Sequence, residues 1–238
     1  MIEEKLMFID VRKAHLNPTC DDEEWVELPE EFWSWGRYAK LKRWLYGMRK
    51  AASAWEEDYV DKLLKVGFKR DKSASTVFWN ETTGVRLVVH GDDFTFSGEE
   101  HHLNEMKRLM GDWYEIKDRG TMGSGTFDIK EVVILGRRLR WTKGGLEYEA
   151  DPKHRKDLMK DAGLDEGSKA ATGPAVKERA EDEQAEAVEL QDAGEKTKFR
   201  GGAAKLNYLG LDRPDLQFAA KGIAQKMAVP SMGGDREN

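Results

Sequence analysis

Two adjacent aspartates interrupt a β-forming run, Val85-Arg86-Leu87-Val88-Val89-His90-Gly91-Asp92-Asp93-Phe94-Thr95-Phe96, and a third, Asp10, lies near the end of Lys5-Leu6-Met7-Phe8-Ile9-Asp10-Val11. Carboxylates held side by side repel and raise one another's pKa unless a cation sits between them, and hard oxygen ligands on a rigid turn suit Mg²⁺. Such a set supports phosphoryl or nucleotidyl transfer. Taken alone, an Asp-Asp pair is most simply a soluble turn, and a single Asp at a strand end is most simply a turn or cap residue.

The elements that must position these acids are legible. Val, Phe and Thr around Gly91-Asp92-Asp93 predict a β-hairpin with the acids at its tip. Residues 5–11 predict a short strand that delivers Asp10 at its carboxyl end, and Asn17-Pro18 stops whatever follows. Ala54, Trp55, Tyr59, Leu63, Leu64 and Val66 recur at helical spacing, with Gly67 as the stop. A second amphipathic helix is expected over 99–110, with Ser97 as its N-cap. Thr76 to Trp79 reads as a strand, 132–141 as a strand continued through Gly136, and Leu146-Glu147-Tyr148 as its returning partner. Asp151-Pro152 opens a further helix, with Pro at the favoured first position. Gly120 to Gly125 is glycine-rich but lacks a following Gly-Lys-Ser/Thr, so a flexible turn is expected rather than a phosphate loop. The adjacent His101 and His102 cannot both face one metal from a helix and read as surface residues.

Charge is uneven along the chain. Its 238 residues carry a net charge of -6, with 35% charged and 39% hydrophobic residues and a mean hydropathy of -0.73. Asp21 to Glu31 is acidic and reads as an extended, solvated segment. Arg37, Lys40, Lys42, Arg43, Arg49 and Lys50 follow, interleaved with Tyr38, Trp44 and Tyr46. That pattern suits a phosphate backbone and stacked bases, and a helix with buried aromatics explains it equally well. From about 164 to 198 the chain is rich in Glu, Asp, Ala and Gln, the composition of a disordered or weakly helical linker. Two short amphipathic helices, over 199–209 and 214–227, are expected to close it. The single cysteine, Cys20, excludes an intramolecular disulfide and a cysteine zinc site. No apolar run approaches a membrane span and no signal peptide is evident, so an intracellular protein, cytoplasmic or nuclear and not secreted, without a membrane partner is expected.

Six segments, in order, resemble the reverse transcriptase of copia-type retrotransposons. Phe8-Ile9-Asp10-Val11-Arg12-Lys13-Ala14-His15-Leu16-Asn17 is similar to that family's Asp-Val-Lys-Thr-Ala-Phe-Leu-Asn segment. Leu45-Tyr46-Gly47-Met48-Arg49-Lys50-Ala51-Ala52-Ser53-Ala54-Trp55 resembles Leu-Tyr-Gly-Leu-Lys-Gln-Ala-Pro-Arg-Ala-Trp, and 64–69 its Leu-Gly-Phe-Lys stretch. His90-Gly91-Asp92-Asp93 stands at Tyr-Val-Asp-Asp, Ile134-Leu135-Gly136 at Phe-Leu-Gly, and Tyr208-Leu209 with Arg213-Pro214-Asp215 at the segment leading into ribonuclease H.

The resemblance implies an α+β fold, a polymerase palm-like antiparallel sheet with packed helices and a helical C-terminal connection segment. It implies a palm and thumb-like region over 1–163, the acidic linker over 164–198, the connection over 199–228 and a tail over 229–238. It further implies an RNA-directed DNA polymerase in which Asp10, Asp92 and Asp93 bind two Mg²⁺ ions, or Mn²⁺ in their place, with Asp10 and Asp92 the most direct ligands. Val11, Arg12, Lys13, Ala14, His15 and Gly47 would meet the incoming nucleotide, Ile134, Leu135 and Gly136 the primer, and Lys42, Arg43, Arg49 and Lys50 the nucleic acid. The implied partners are an RNA template, a DNA primer, deoxynucleoside triphosphates and the remaining parts of a Pol polyprotein. A partial domain is expected, without the fingers segment that precedes the first acid in the family. The sequence departs from the family at His15 for Phe, Lys50 for Gln, Ala52 for Pro and Gly91 for Val. The alternatives are a catalytically inactive remnant that binds nucleic acid or protein, and another metal-dependent phosphotransferase or nuclease.

Overall fold

Met7, Ile9 and Val11 alternate along the first strand, β1 (Lys5–Val11), and are buried on one face. The computed structural model describes residues 4–165, 167–169 and 188–232. After β1 come β2 (Trp25–Glu27), β3 (Tyr38–Lys40), α1 (Ala51–Lys65), β4 (Lys69–Arg70), β5 (Val77–Trp79), β6 (Arg86–His90), β7 (Asp93–Gly98), α2 (Glu100–Trp113) and β8 (Ile116–Met122). These elements form one compact unit, residues 1–130. Its main sheet has the order β4-β5-β6-β7-β1-β8, antiparallel throughout. The path β1, α1, β6, β7, α2, β8, with β1 between β7 and β8, is a split β-α-β-β-α-β arrangement.

Register sorts the two faces. Ile9 lies opposite Phe94 and Phe94 opposite Val89, while Met7 lies opposite Phe96, and Leu87 opposite both Phe96 and Phe78. All seven are buried in one cluster with Trp55, Tyr59 and Leu63 of α1 and Leu103, Met106 and Met110 of α2. The helix residues recur three or four apart, as an apolar stripe facing a sheet requires. Because side chains alternate along a strand, Asp10 and Asp93 lie on the opposite face.

The glycine-rich stretch has a packing role. Lys5 Nζ lies 2.9 Å from Asp128 Oδ2 and 3.0 Å from Glu100 Oε2, with the Lys5 and Asp128 side chains nearly buried. The backbone at Gly123 and Gly125 passes so close that a Cβ there would stand 2.6 and 2.7 Å from Asp128 Oδ2. Gly125 N–H also donates to that oxygen at 2.7 Å. The expected flexible turn over 120–125 is therefore corrected: Gly120 to Met122 belong to β8, and the glycines beyond wrap an ion pair.

The second unit, 131–238, holds β9 (Glu131–Ile134), β10 (Arg137–Thr142), β11 (Gly145–Glu149), α3 (Pro152–Asp161), β12 (Val188–Glu189), α4 (Ala193–Gly210), α5 (Gln217–Gln225) and β13 (Ser231–Met232). The division at 130/131 falls inside the region expected as one over 1–163. Asp151 caps α3 by accepting from the Lys153 and His154 amides. The strand expected over 132–141 is instead a hairpin, because Leu135 and Gly136 take φ of 50° and 78° and turn the chain between β9 and β10. Helix α4 begins at Ala193, within the stretch expected as linker; 166 and 170–187 of that stretch lie outside the described residues.

Two further expectations change. Residues 37–50 are not helical: β3 pairs with β2, Thr19 bridges Arg43, and only a loop joins β3 to α1. Opposite charges flank this pairing, with Arg37 and Glu27 at 2.9 Å, Lys40 and Glu23 at 3.3 Å, and Lys50 and Asp22 at 2.5 Å. Ser97 does not cap α2; it lies in β7 and its hydroxyl donates to Glu4 Oε2 at 3.2 Å.

The hydrogen bond to Asp128 raises the Lys5 pKa. Burial alone would raise the Asp128 carboxyl, but the Lys5 hydrogen bond, the Gly125 N–H and the charges of Lys5 and Lys130 outweigh it and hold it below the ordinary range. The stabilisation from the pair is complete between the unfolded-state values of about 3.9 and about 10.4. It is lost as pH falls through the depressed Asp128 value or rises through the elevated Lys5 value. Asp128→Asn is expected to cost about 3 kcal/mol at neutral pH and to flatten the acid limb of stability, as urea unfolding across the acid range will show.

Candidate active site

The hairpin joining β6 to β7 closes through Gly91 and Asp92, with His90 opposite Asp93 and Gly91 at a φ of 64° that glycine adopts without strain. Two hydrogen bonds hold this turn. Val11 N–H donates to the Asp92 carbonyl at 2.8 Å, and the Trp55 indole N–H donates to the Gly91 carbonyl at 2.9 Å. Asp10 is the direct cross-strand partner of Asp93, so both carboxylates stand on the face opposite α1 and α2, half-buried, while Asp92 is exposed on the turn beside them.

Arg119 joins the two half-buried acids. Its Nη2 lies 3.5 Å from Asp10 Oδ2 and its Nη1 3.3 Å from Asp93 Oδ1. A bulge aims it there: Ile9 pairs with Asp118 and Phe8 with Gly120, leaving Arg119 as the extra residue of β8. Asp118 stabilises the bulge by accepting from Gly120 N–H at 2.8 Å. Burial holds the Asp93 carboxyl above its ordinary value; the Arg119 charge opposes this, and Asp92 and Asp10 add to it. Crowded hard oxygens, one pushed towards protonation, are a donor set that a divalent cation relieves. Among the described residues no group of three or more His, Cys, Asp or Glu side chains is arranged to hold a metal ion. The structure thus gathers Asp10 and Asp93 through Arg119 and leaves Asp92 adjacent.

The other expected site residues divide. The amide of Val11 is engaged by Asp92 and that of Arg12 by the Glu115 carbonyl at 2.9 Å, and the Arg12 guanidinium pairs with Glu115 at 2.7 Å. Lys13 takes a left-handed φ of 52°, and a 3-10 turn over Ala14–Leu16 follows. Asn17 Nδ2 holds this segment by donating to the Lys13 and Ala14 carbonyls at 3.3 and 3.2 Å. His15 stacks on Tyr46 with ring centroids 4.5 Å apart, and its Nδ1 is buried without a partner among the described residues. Gly47, at a φ of 89°, has open space where a Cβ would stand. Of the basic residues, Lys50 is held by Asp22 and Arg43 donates to the Asn17 carbonyl, whereas Lys42 and Arg49 are exposed and make no ion pair among the described residues.

In the second unit, Ile134 ends β9, and Leu135 and Gly136 form the turn. The Leu135 carbonyl accepts from Tyr208 Oη at 3.1 Å and from Arg137 Nη1 at 3.2 Å. Arg137 is fixed in turn by Asp212 at 2.9 Å. A Cβ at Gly136 would stand 2.8 Å from Asp151 Oδ2, so this position admits only glycine without rearrangement.

Sequence reasoning missed Arg119, the indole donor of Trp55 and the Tyr208 hydroxyl. Asp118-Arg119-Gly120, a charged run followed by glycine within a strand, was the available signal for a bulge. Nothing in the local pattern distinguishes Trp55 as a donor from Trp55 as core.

Comparison with known proteins gives a consistent result. Residues 2–128 match the profile of the family described as reverse transcriptase (RNA-dependent DNA polymerase). The chain is 25% identical over 232 residues to the retrovirus-related Pol polyprotein from transposon RE2 of Arabidopsis thaliana, and 24% identical over 230 residues to that from transposon RE1. Each alignment covers 94% of this chain, and the chain spans 15% of the length of either relative. A transposon Ty5-1 protein of Saccharomyces cerevisiae is 25% identical over 122 residues, 47% of this chain and 38% of that protein. The resemblance to copia-type retrotransposon Pol proteins is therefore one of distant homology.

Trp55→Phe keeps an aromatic ring in the core but removes the donor to Gly91. It is expected to cost about 2 kcal/mol. It should also speed hydrogen exchange at the Val11 amide, whose acceptor lies on the same turn, more than at amides of β5. Urea unfolding and exchange followed by NMR measure the two effects.

Proposed function

The chain belongs to the reverse transcriptase (RNA-dependent DNA polymerase) family, and from that premise we propose that its antiparallel sheet is a polymerase palm. Asp10, Asp92 and Asp93 would be the acids of a two-metal, template-directed nucleotidyl transfer. The pairing of Asp10 with Asp93 on the face opposite α1 and α2, beside the turn that carries Asp92, is the observation that supports this most. Magnesium, or manganese in its place, supplies when bound the positive charge that offsets these acids and the triphosphate of an incoming nucleotide.

The chain's own residues take distinct roles in this reading. Asp10 and Asp93 present carboxylates from neighbouring strands, and the Val11 and Trp55 hydrogen bonds keep the turn of Asp92 from drifting. Asp10 and Asp92 are the more direct ligands. With the Val11 and Arg12 amides already engaged, the backbone left to approach a nucleotide lies at Lys13, Ala14 and His15. The flat stack of His15 on Tyr46 forms a polar wall for the sugar, and Gly47 leaves room next to it. Lys42 and Arg49, exposed and without an ion pair among the described residues, suit the phosphates of an RNA template and DNA primer better than Arg43 and Lys50, which the fold has occupied. Ile134, Leu135 and Gly136 are assigned to the primer. The alignments with the plant Pol polyproteins run through the second unit, in keeping with that assignment. The remaining segments of a Pol polyprotein are the partners that the short span of this chain invites.

One observation favours a second reading, a remnant that binds nucleic acid or protein without catalysis: Arg119 already sets a positive charge against both Asp10 and Asp93. Primer extension on an RNA template with Mg²⁺ and deoxynucleotides separates the two. The palm reading expects extension by the parent chain and a loss of at least about 100-fold with Asp10→Asn or Asp92→Asn. Extension that survives Asp92→Asn would sink the proposed site. A folded chain that binds RNA in a salt-sensitive way but extends nothing would select the remnant.

A further inference from the structure

We propose that Arg119 is a built-in counterion that competes with the divalent metal for Asp10 and Asp93, so that the chain's metal affinity is set by displacement of a guanidinium. The inference rests on the palm reading and goes beyond it. Three features of the structure carry it.

The first is geometry. One guanidinium reaches both acids with different nitrogens, Nη2 to Asp10 at 3.5 Å and Nη1 to Asp93 at 3.3 Å. A two-pronged fork spanning two carboxylates covers the space between them, which is also the space that a cation shared by both would take.

The second is how the fold places it. Lys117 is the register partner of Asp10 across β1 and β8, yet among the described residues it makes no ion pair with that acid. Arg119, the extra residue of the bulge on β8, reaches it instead. The bulge in turn is held by the Asp118 carboxylate on Gly120 N–H and by Gly120 at a φ of 107°. The guanidinium is therefore delivered to the acids by backbone architecture and not by chance rotation of a long side chain.

The third is chemistry. Asp10 and Asp93 face each other as direct cross-strand partners, so the acid pair needs positive charge whether or not a metal is bound. Arg119 yields the site by swinging away from the two acids. The three side chains are a quarter to a third exposed, which leaves Arg119 a path to water when a stronger cation arrives. Paired carboxylates attract a doubly charged ion more than a delocalised single charge, and the competition favours metal once its concentration is high enough.

The test is binding of Mn²⁺ alone, without nucleotide or nucleic acid, to the full chain, followed by electron paramagnetic resonance of the free ion. Arg119→Gln is expected to bind at least fivefold more tightly than the parent, and the gain should vanish in the double variant with Asp10→Asn. Melting gives a second readout: the variant should melt lower than the parent without metal and gain more on adding Mn²⁺. Should Arg119→Gln fail to fold, Arg119→Lys keeps the charge but gives up the fork, and a rise in affinity smaller than fivefold is expected. Equal or weaker Mn²⁺ binding by the folded variant, with binding still lost on Asp10→Asn, overturns the inference and leaves the palm reading standing. Binding that ignores Asp10→Asn in every background, or no binding in any, overturns both.

Discussion

Everything at the candidate site depends on one constraint, the two-residue period of β1. Met7, Ile9 and Val11 are committed to the core against Phe94, Phe96 and the helices, so Asp10 has no choice of face. The partner strand obeys the same rule, and Phe94 and Phe96 turn Asp93 outward to meet it. A slip of one residue that flipped β1 would turn Asp10 into the core and Met7, Ile9 and Val11 out of it. The hydrophobic core is thus what aligns the acids, and the chemistry inherits its precision from packing.

What packing cannot do is make two crowded carboxylates comfortable. The fold answers with positive charge in the form of Arg119, and it answers elsewhere in the same manner. Lys5 and Asp128 are nearly buried as a pair, and β2 and β3 meet along matched acids and bases. In a chain with 35% charged residues, acids and bases are paired both in the core and across the exposed strands. For this reason the acidic run at 21–31 and the basic run at 37–50, which read separately as a solvated face and a nucleic-acid surface, are two sides of one element.

The parts legible from sequence were those with a strong period or an obligate turn. Strand β1, helix α1 with its Gly67 stop, the hairpin about Gly91 and the capped helix at Asp151 all follow from residue patterns within a few positions of each other. The misses arise where distant residues decide. The stretch 37–50 has helical spacing, but pairing of β3 with β2 and burial of Trp44 outweigh it. Leu135 gave no warning of a left-handed turn, since a β-branched and apolar run reads straight through it. Arg119 depends on a bulge whose register is set by β1, more than a hundred residues upstream. The resemblance to copia-type proteins singled out Asp10 and Asp93, which the fold pairs across β1 and β7, because it carries information on spacing that no local pattern holds.

The hold of Tyr208 and Arg137 on the Leu135 carbonyl has a practical corollary for dissecting the molecule. The hairpin of β9 and β10 and the helix α4 are far apart in sequence, with the acidic stretch between them, yet the turn draws a hydrogen bond from α4 and its arginine is anchored by Asp212. A fragment cut before α4 would retain every residue of that hairpin and lose the groups that shape its tip. Trimming from the carboxyl end therefore acts on the hairpin at a distance, and the natural boundary of the smallest intact second unit lies beyond Asp212.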